Sequence, residues 1–176
     1  MALATSLLPF IGQNWGAGNF LRAREAHKKA NIFVVLWGLL GVAIIASIAP
    51  WIANFFTNDS DVLKYLLTFL YIIPIAYAFR GLCHNAYSAM NAIDHPYYAT
   101  INILLRLFVF TLPLAVVGAW VLGFKGLLIA IIIAEAVSSF IAVRWVKKLY
   151  DRNTIKQRIF KNSIVETGVE LCPIGK

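Results

Sequence analysis

Five polar or ionisable side chains recur at steps of three and four residues within one long, otherwise apolar stretch of the chain. They are Tyr77, Arg80, His84, Tyr87 and Asn91. This spacing places them on one face of a helix. Because such groups are costly in an apolar environment, we expect the face to line a polar cavity that contacts a substrate. In the alternative, the face packs against other helices and Arg80 bonds backbone carbonyls.

Two further ionisable residues, Arg106 and Glu135, stand within two later apolar stretches. Counted along a helix, both lie roughly 14–16 Å from the same end of their stretches. Adjacent antiparallel helices would bring them together as a buried ion pair that holds the structure. A proton relay through Glu135 is the alternative, but a neighbouring arginine favours the ionised carboxylate and opposes that role.

The sequence contains no pattern typical of an enzyme. It has no P-loop and no metal-ligand spacing, and His27, His84 and His95 do not cluster with cysteines or acids. Cys83 and Cys172 cannot form a disulfide framework. We therefore expect neither catalysis nor a bound cofactor or metal.

The composition predicts a membrane protein. Of the 176 residues, 60% are hydrophobic and only 14% are charged, whereas soluble domains have roughly a quarter charged residues. The net charge of +8 is concentrated in two blocks beside apolar stretches. This distribution favours a lipid bilayer as the partner and argues against nucleic acid.

The apolar stretches are long enough to cross a bilayer as helices, which satisfy their own backbone hydrogen bonds in lipid. We predict an all-α membrane helix bundle in which Asn58 or Ser60 caps the second helix and Pro96 begins the third. The predicted full transmembrane helices are residues 31–56, 62–93, 97–121 and 126–146.

The basic residues predict the orientation of these spans. A basic loop at residues 18–30 and a basic tail at residues 147–176 would lie on the same side after four crossings. The positive-inside rule makes that side the cytoplasm, so we expect a multi-pass protein of the inner membrane. Residues 1–17 cover only about half a bilayer as helix. We interpret them as the end of a truncated transmembrane helix, with a re-entrant segment as the alternative.

The segment that ends this first apolar stretch, "PFIGQNWGA", has a distinctive pattern. Gly12 and Gly16 are spaced to allow close helix approach, and Gln13 and Asn14 can satisfy carbonyls where a helix ends. The segment resembles the P-x-x-G-Q-N-x-G-A element of the multidrug and toxic compound extrusion (MATE) transporters. The matching residues are Pro9, Gly12, Gln13, Asn14, Gly16 and Ala17. The later "NAIDHP" and "LLRLFVFTLPLA" are also similar to that family.

The resemblance implies the second lobe of a two-lobe transporter, with the four spans matching helices nine to twelve. It implies a missing first lobe as partner, a small-molecule substrate and export driven by H⁺ or Na⁺. Some members carry an acid in the tenth helix, where this chain has Arg80 and His84, so substrates could be anionic or zwitterionic. The alternatives are a flippase for lipid-linked or polysaccharide intermediates, and a four-helix anchor or assembly subunit without transport.

Overall fold

The computed structural model describes the backbone of residues 2–167 and the side chains of residues 4–153 and 155. Every regular element in this part of the chain is a helix, so the predicted all-α fold class is confirmed. The elements are α1 (Ala2–Gly16), α2 (Phe20–Phe56), α3 (Ser60–Ala92), α4 (Pro96–Leu104), a π-helical segment (Leu105–Thr111) and α5 (Leu112–Thr167).

Three helical runs in the described part of the chain are long and apolar enough to cross a membrane: Phe20–Phe56, Ser60–Ala92 and Pro96–Asn153. The prediction of four full spans and a partial one is therefore not matched. The difference lies in the last run, which contains two helical limbs on either side of the connection expected between residues 121 and 126.

Within this last run, Gly123 (φ 59°, ψ −137°) reverses the chain. The two limbs of this hairpin, residues 96–122 and 124–153, run antiparallel, because Arg106 meets Glu135 as described below. Next to the reversal, Gly118 and Gly126 bring the backbones into contact. A Cβ on Gly118 would lie 2.5 Å from the Gly126 carbonyl oxygen, and a Cβ on Gly126 would overlap the Gly118 carbonyl.

The predicted loop at residues 18–30 is wrong from Phe20 onward, because α2 begins there and residues 20–30 form its first turns. Ala23, His27 and Ala30 are buried at the helical spacing of four and three residues, which ties this part of α2 to the core. The predicted tail is helical as far as Thr167, and residues 168–176 lie outside the described part. Arg24 Nη1 lies 3.0 Å from Asp151 Oδ1 and joins the two basic segments.

The end of α1 is a Schellman motif. Gly18 has a φ of 74°, its N–H bonds the Trp15 carbonyl at 3.0 Å, and the Asn19 N–H bonds the Asn14 carbonyl at 2.8 Å. The Asn14 side chain also donates to the Phe10 carbonyl at 2.8 Å, as expected for a residue that satisfies carbonyls at a helix end. Glycine adopts this left-handed conformation without steric cost, which explains its position.

The turn after α3 repeats this geometry with an aspartate. Asp94 has a φ of 62°, its N–H bonds the Asn91 carbonyl at 3.3 Å, and the His95 N–H bonds the Met90 carbonyl at 2.9 Å. Pro96 then begins α4, as predicted. A Schellman motif thus ends both α1 and α3.

The start of α3 differs by one residue from the prediction. Asp59, and not Asn58 or Ser60, is the N-cap, since its Oδ1 accepts from the N–H groups of Asp61 (2.9 Å) and Val62 (3.5 Å).

The hydrophobic core lies at one end of the bundle, where α1, the start of α2, the end of α3, α4 and α5 meet. Its largest fully buried side chains include Tyr150, Ile11, Met90 and Val146. At the other end the helices present large apolar side chains outward, with Phe55 87% exposed. We call these the packed end and the open end.

Candidate functional site

Between the packed and open ends, α3 and the two limbs of the hairpin bring polar side chains together in two adjacent clusters. We call the first the amide cluster. It consists of Cys83, Tyr87, Asn102 and Ser138. We call the second the charged cluster. It consists of Arg80, Arg106 and Glu135.

The amide cluster is buried and well bonded. The Asn102 side-chain oxygen accepts from the Tyr87 hydroxyl at 2.8 Å and from Ser138 Oγ at 2.7 Å, and its Nδ2 donates to the Ser138 carbonyl at 3.4 Å. Cys83 Sγ donates to Ser138 Oγ at 3.8 Å. Asn102 and Ser138 are both 0% exposed. These bonds join α3 to both limbs of the hairpin.

The charged cluster has fewer hydrogen bonds than the amide cluster. Arg106 Nη1 donates to Glu135 Oε1 at 2.8 Å, and Arg80 Nε lies 3.8 Å from the same oxygen. The second oxygen of Glu135, Oε2, is buried and has no hydrogen-bond partner among the described residues. The structure thus brings together the predicted pair, Arg106 and Glu135, and adds Arg80 from the helical stripe of α3.

The π-helical segment positions Arg106. The Leu112 N–H bonds the carbonyl of Leu107, five residues back, and Pro113 follows directly. Proline lacks an N–H and its ring collides with the carbonyl four residues earlier, which favours a wider turn before it. Wider π turns are frequent at functional sites.

A cavity of about 240 Å³ opens beside the charged cluster. Arg80 and Glu135 form its polar side, and Tyr77 stands one turn before Arg80, with the guanidinium carbon 5.9 Å from its ring centre. The remaining lining residues are Phe69, Ile73, Ala76 and Ile131.

A larger cavity of about 710 Å³ lies between α2 and α3. Its wall is mainly aliphatic and aromatic and includes Trp37 on α2. It shares Phe69, Ile73 and Tyr77 with the smaller cavity, so the two adjoin along the same face of α3.

The residues of the predicted stripe take different positions. Tyr77 and Arg80 line the smaller cavity, whereas Tyr87 belongs to the amide cluster. The half-buried His84 ring lies edge-on to Tyr87, with the ring centres 6.2 Å apart. Asn91 is exposed near the end of α3. The stripe is therefore divided between a cavity wall, an interhelical bond and a helix end.

A third polar group, made of two asparagines and a histidine, was not predicted from the sequence. Asn85 Nδ2 donates to Asn31 Oδ1 at 3.2 Å, and Asn31 Nδ2 lies 3.1 Å from His27 Nε2. Asn85 and His27 are buried. Asparagines within apolar stretches, Asn102 among them, are the signal that could have identified both amide groups.

The motif residues lie in the second half of α1 and at the first position of the turn that ends it. Pro9, Gly12 and Gly16 are within the helix, and the Ala17 N–H bonds the Gln13 carbonyl at 3.0 Å. α1 packs against α2 and α3.

The close approach predicted at the motif glycines is not seen. A Cβ on Gly12 would make an ordinary contact with the Ala92 carbonyl at 3.8 Å, and one on Gly16 would meet open space. Close approach occurs instead between α2 and α3, where a Cβ on Gly38 would lie 2.8 Å from Ala78 Cβ, and at the hairpin glycines.

Comparison with known proteins gives consistent matches. The MatE family model matches residues 1–117. A FAD transporter of Shewanella oneidensis is 37% identical over 131 residues, which are 74% of this chain and 29% of that protein.

Among solved structures, the Vibrio cholerae MATE transporter VcmN in its bent form has a TM-score of 0.80 and 29% identity, over 86% of this chain and 35% of that one. A MOP superfamily transporter from Pyrococcus furiosus has a TM-score of 0.78 at 20% identity, over 86% and 34% of the two chains, and shows the shared fold.

This chain spans about a third of the length of the relatives that it matches. The family model covers well over half of the chain, and the long apolar helices agree with several membrane crossings. The chain therefore belongs to the MATE transporter family and is a multi-pass integral membrane protein.

Proposed function

We propose that this chain is the second-lobe part of a cation-coupled MATE exporter, which moves small organic molecules out of the cell against an inward flow of H⁺ or Na⁺. In this role it binds and translocates its substrate without changing it chemically. The observation that carries the proposal is the charged cluster beside a cavity, halfway along helices that are long and apolar enough to cross a membrane. Ionisable groups at such positions typically mark a transport pathway.

In the membrane, the two limbs of the hairpin would cross separately, which gives four crossings. The packed end would face the cytoplasm of an inner membrane, because it carries both basic segments, joined by Arg24 and Asp151. A tag fused after Lys176 should then be unreachable by membrane-impermeant reagents in sealed cells. Labelling of that tag from outside would overturn the orientation.

The partner in this proposal is a first lobe of the same transporter. Alternating access generally requires two related repeats that move against each other around a central site. The open end fits this requirement, since its apolar side chains, such as Trp120 at 89% exposure, are available to lipid and to another lobe.

A second candidate function is the export of a flavin nucleotide or another phosphate-bearing compound. It is favoured by the 37% identity to a FAD transporter and by two arginines around one carboxylate. Flipping of a phosphate-bearing lipid intermediate would use the same charges. A four-helix anchor subunit without transport is the remaining alternative, which the cavity beside the charged cluster does not favour.

The proposal is tested with the full-length protein in inside-out membrane vesicles that hold either a pH gradient or a Na⁺ gradient. We expect gradient-driven accumulation of ethidium or of FAD, abolished by collapsing the active gradient. Vesicles without the protein are the control. Accumulation of neither compound under either gradient, with normal membrane insertion, would contradict an exporter of these classes.

A further inference from the structure

Arg106 and Arg80 hold Glu135 unequally. Arg106 Nη1 lies 2.8 Å from Oε1 and its side chain is 16% exposed, whereas Arg80 Nε lies 3.8 Å away and its side chain is 42% exposed. The longer distance exceeds that of a hydrogen bond. Arg106 is therefore the fixed partner of the carboxylate, and the Arg80 guanidinium is free to turn toward another acceptor.

The charged cluster carries an excess positive charge. Two guanidinium groups surround one carboxylate, so the formal charge of the three side chains is 2 − 1, or +1. An arginine without a full counter-charge is costly at membrane depth. The cluster therefore favours an anion that approaches through the cavity, on the exposed side of Arg80.

The cavity walls indicate what this anion is attached to. Arg80 stands at the smaller cavity, and Phe69, Ile73 and Tyr77 continue from it into the larger apolar one. The smaller cavity of about 240 Å³ falls just below the usual range of small-molecule sites, about 300–1,000 Å³. A larger ligand would place its apolar or aromatic body along the shared wall.

We propose that Arg80 binds the anionic group of an amphiphilic substrate, a phosphate or a carboxylate, while Arg106 retains Glu135. Arg80 forms charge-assisted hydrogen bonds to the anion in place of its long contact with Glu135. The apolar or aromatic part of the substrate lies against Phe69 and Tyr77. This inference rests on the proposed transport function and identifies the substrate class of the same site.

The test uses two probes that share one ring system and differ by a phosphate: riboflavin and its 5′-phosphate, FMN. Their affinities for the purified full-length protein are measured by fluorescence in detergent, without any ion gradient. We expect the wild type to bind FMN more tightly. In Arg80→Gln, FMN affinity should fall about tenfold or more, toward that of riboflavin, because a charged hydrogen-bond partner is lost. Arg80→Lys should retain part of the preference.

Arg144→Gln is the matched control. Arg144 is exposed on α5 and its guanidinium carbon lies 4.4 Å from the centre of the Phe140 ring, outside the residues that line either cavity. Its removal should leave the ratio of FMN to riboflavin affinity unchanged. The melting temperature of Arg80→Gln should stay close to that of the wild type, since Glu135 keeps Arg106.

A second pair of probes, fluorescent phosphatidic acid and the matching diacylglycerol, distinguishes a lipid phosphate from a soluble one. An Arg80-dependent preference for the phosphate in either pair supports the inference and identifies the source. If neither pair shows this preference, the inference is overturned. An equal fall in the affinities for FMN and riboflavin in Arg80→Gln would also overturn it. Ethidium export without any phosphate preference would reject only this inference. An Arg80-dependent preference without any transport would reject only the exporter.

Discussion

The amide cluster and the charged cluster lie about one helical turn apart on the same helices, yet they differ in almost every physical respect. Asn102 precedes Arg106 by one turn in the first limb, and Ser138 follows Glu135 in the second. Asn102 is 0% exposed and bonded through both ends of its amide. The charged cluster instead has an excess charge, a cavity beside it and a carboxylate oxygen with no hydrogen-bond partner in the described part of the chain.

The difference follows from where each cluster lies relative to the packed end. Tyr87 packs against the hydrophobic core while it bonds Asn102, so the amide cluster continues the packing of that end. The charged cluster lies one turn further toward the open end, where the helices leave room for a cavity. One turn of the hairpin therefore stabilises the structure through the amide cluster, and the adjacent turn leaves a charge available for binding.

Removal of Arg106 should have the largest effect on stability. Arg106→Ala leaves a buried carboxylate with Arg80 alone, and loss of one partner of a buried ion pair costs about 3–5 kcal/mol. We expect low expression and a marked fall in melting temperature of the detergent-solubilised full-length protein. Glu135→Ala should also lower expression, and the double variant should be milder than the sum. Additive losses would contradict the pairing.

Gly126→Ala tests the close packing of the two hairpin limbs, which carry residues of both clusters. The added methyl group would overlap the Gly118 carbonyl, and backbone atoms cannot move aside as a flexible side chain can. We expect a loss of about 3 kcal/mol in the free energy of unfolding, since overpacking commonly costs about 1–3 kcal/mol. Gly41→Ala is the control, because a Cβ there meets open space. Equal melting temperatures for the two variants would show that the limbs are not so closely packed.

Asn102→Leu separates the two clusters. It removes three hydrogen bonds from the amide cluster and leaves the ion pair in place, so stability should fall by about 2 kcal/mol, the middle of the range for unsatisfied buried groups. Asn153→Leu is the matched control, because among the described side chains Asn153 donates only to the carbonyl of Leu149 in its own helix. A fall in FMN affinity with unchanged melting temperature would reverse the roles of the clusters.

Tyr87→Phe should have the smallest effect. It removes one hydroxyl from Asn102 Oδ1 and keeps the ring, and hydrogen bonds between membrane helices average about 0.6 kcal/mol. The melting temperature should fall slightly, and the ratio of FMN to riboflavin affinity should not change. A larger loss than for Asn102→Leu would show that the hydroxyl has a role outside the amide cluster.

Much of the charged cluster could be expected from the sequence. Counting residues from the ends of two apolar stretches placed Arg106 and Glu135 at the same depth, and the structure brings them together. The joining of Arg80 to this pair was not expected, because it depends on how α3 is rotated against the hairpin. Helical periodicity shows which residues share a face, but it does not show which neighbour the face meets.

The starts of the helices also show what the sequence can and cannot predict. Pro96 was correctly predicted to begin a helix, since proline suits the first turn of a helix in any surroundings. Residues 18–30 were predicted as a loop because the apolar stretch begins at Asn31, yet α2 begins at Phe20 and its first turns bury Ala23 and His27. Alanine, leucine, arginine and lysine favour a helix, so the helix starts before the apolar stretch, whereas the burial of one of its faces depends on packing.

The amino-acid sequence by itself determined that the chain is helical, lies in a membrane and belongs to the MATE family, because apolar length and a turn motif are local properties. Only the tertiary structure decided that Arg80 joins Glu135 beside a cavity, while the side-chain oxygen and nitrogen of Asn102 are both hydrogen-bonded. Those contacts depend on helix rotation and on the glycine contacts of the hairpin. Both are set by packing between segments that are distant in the chain.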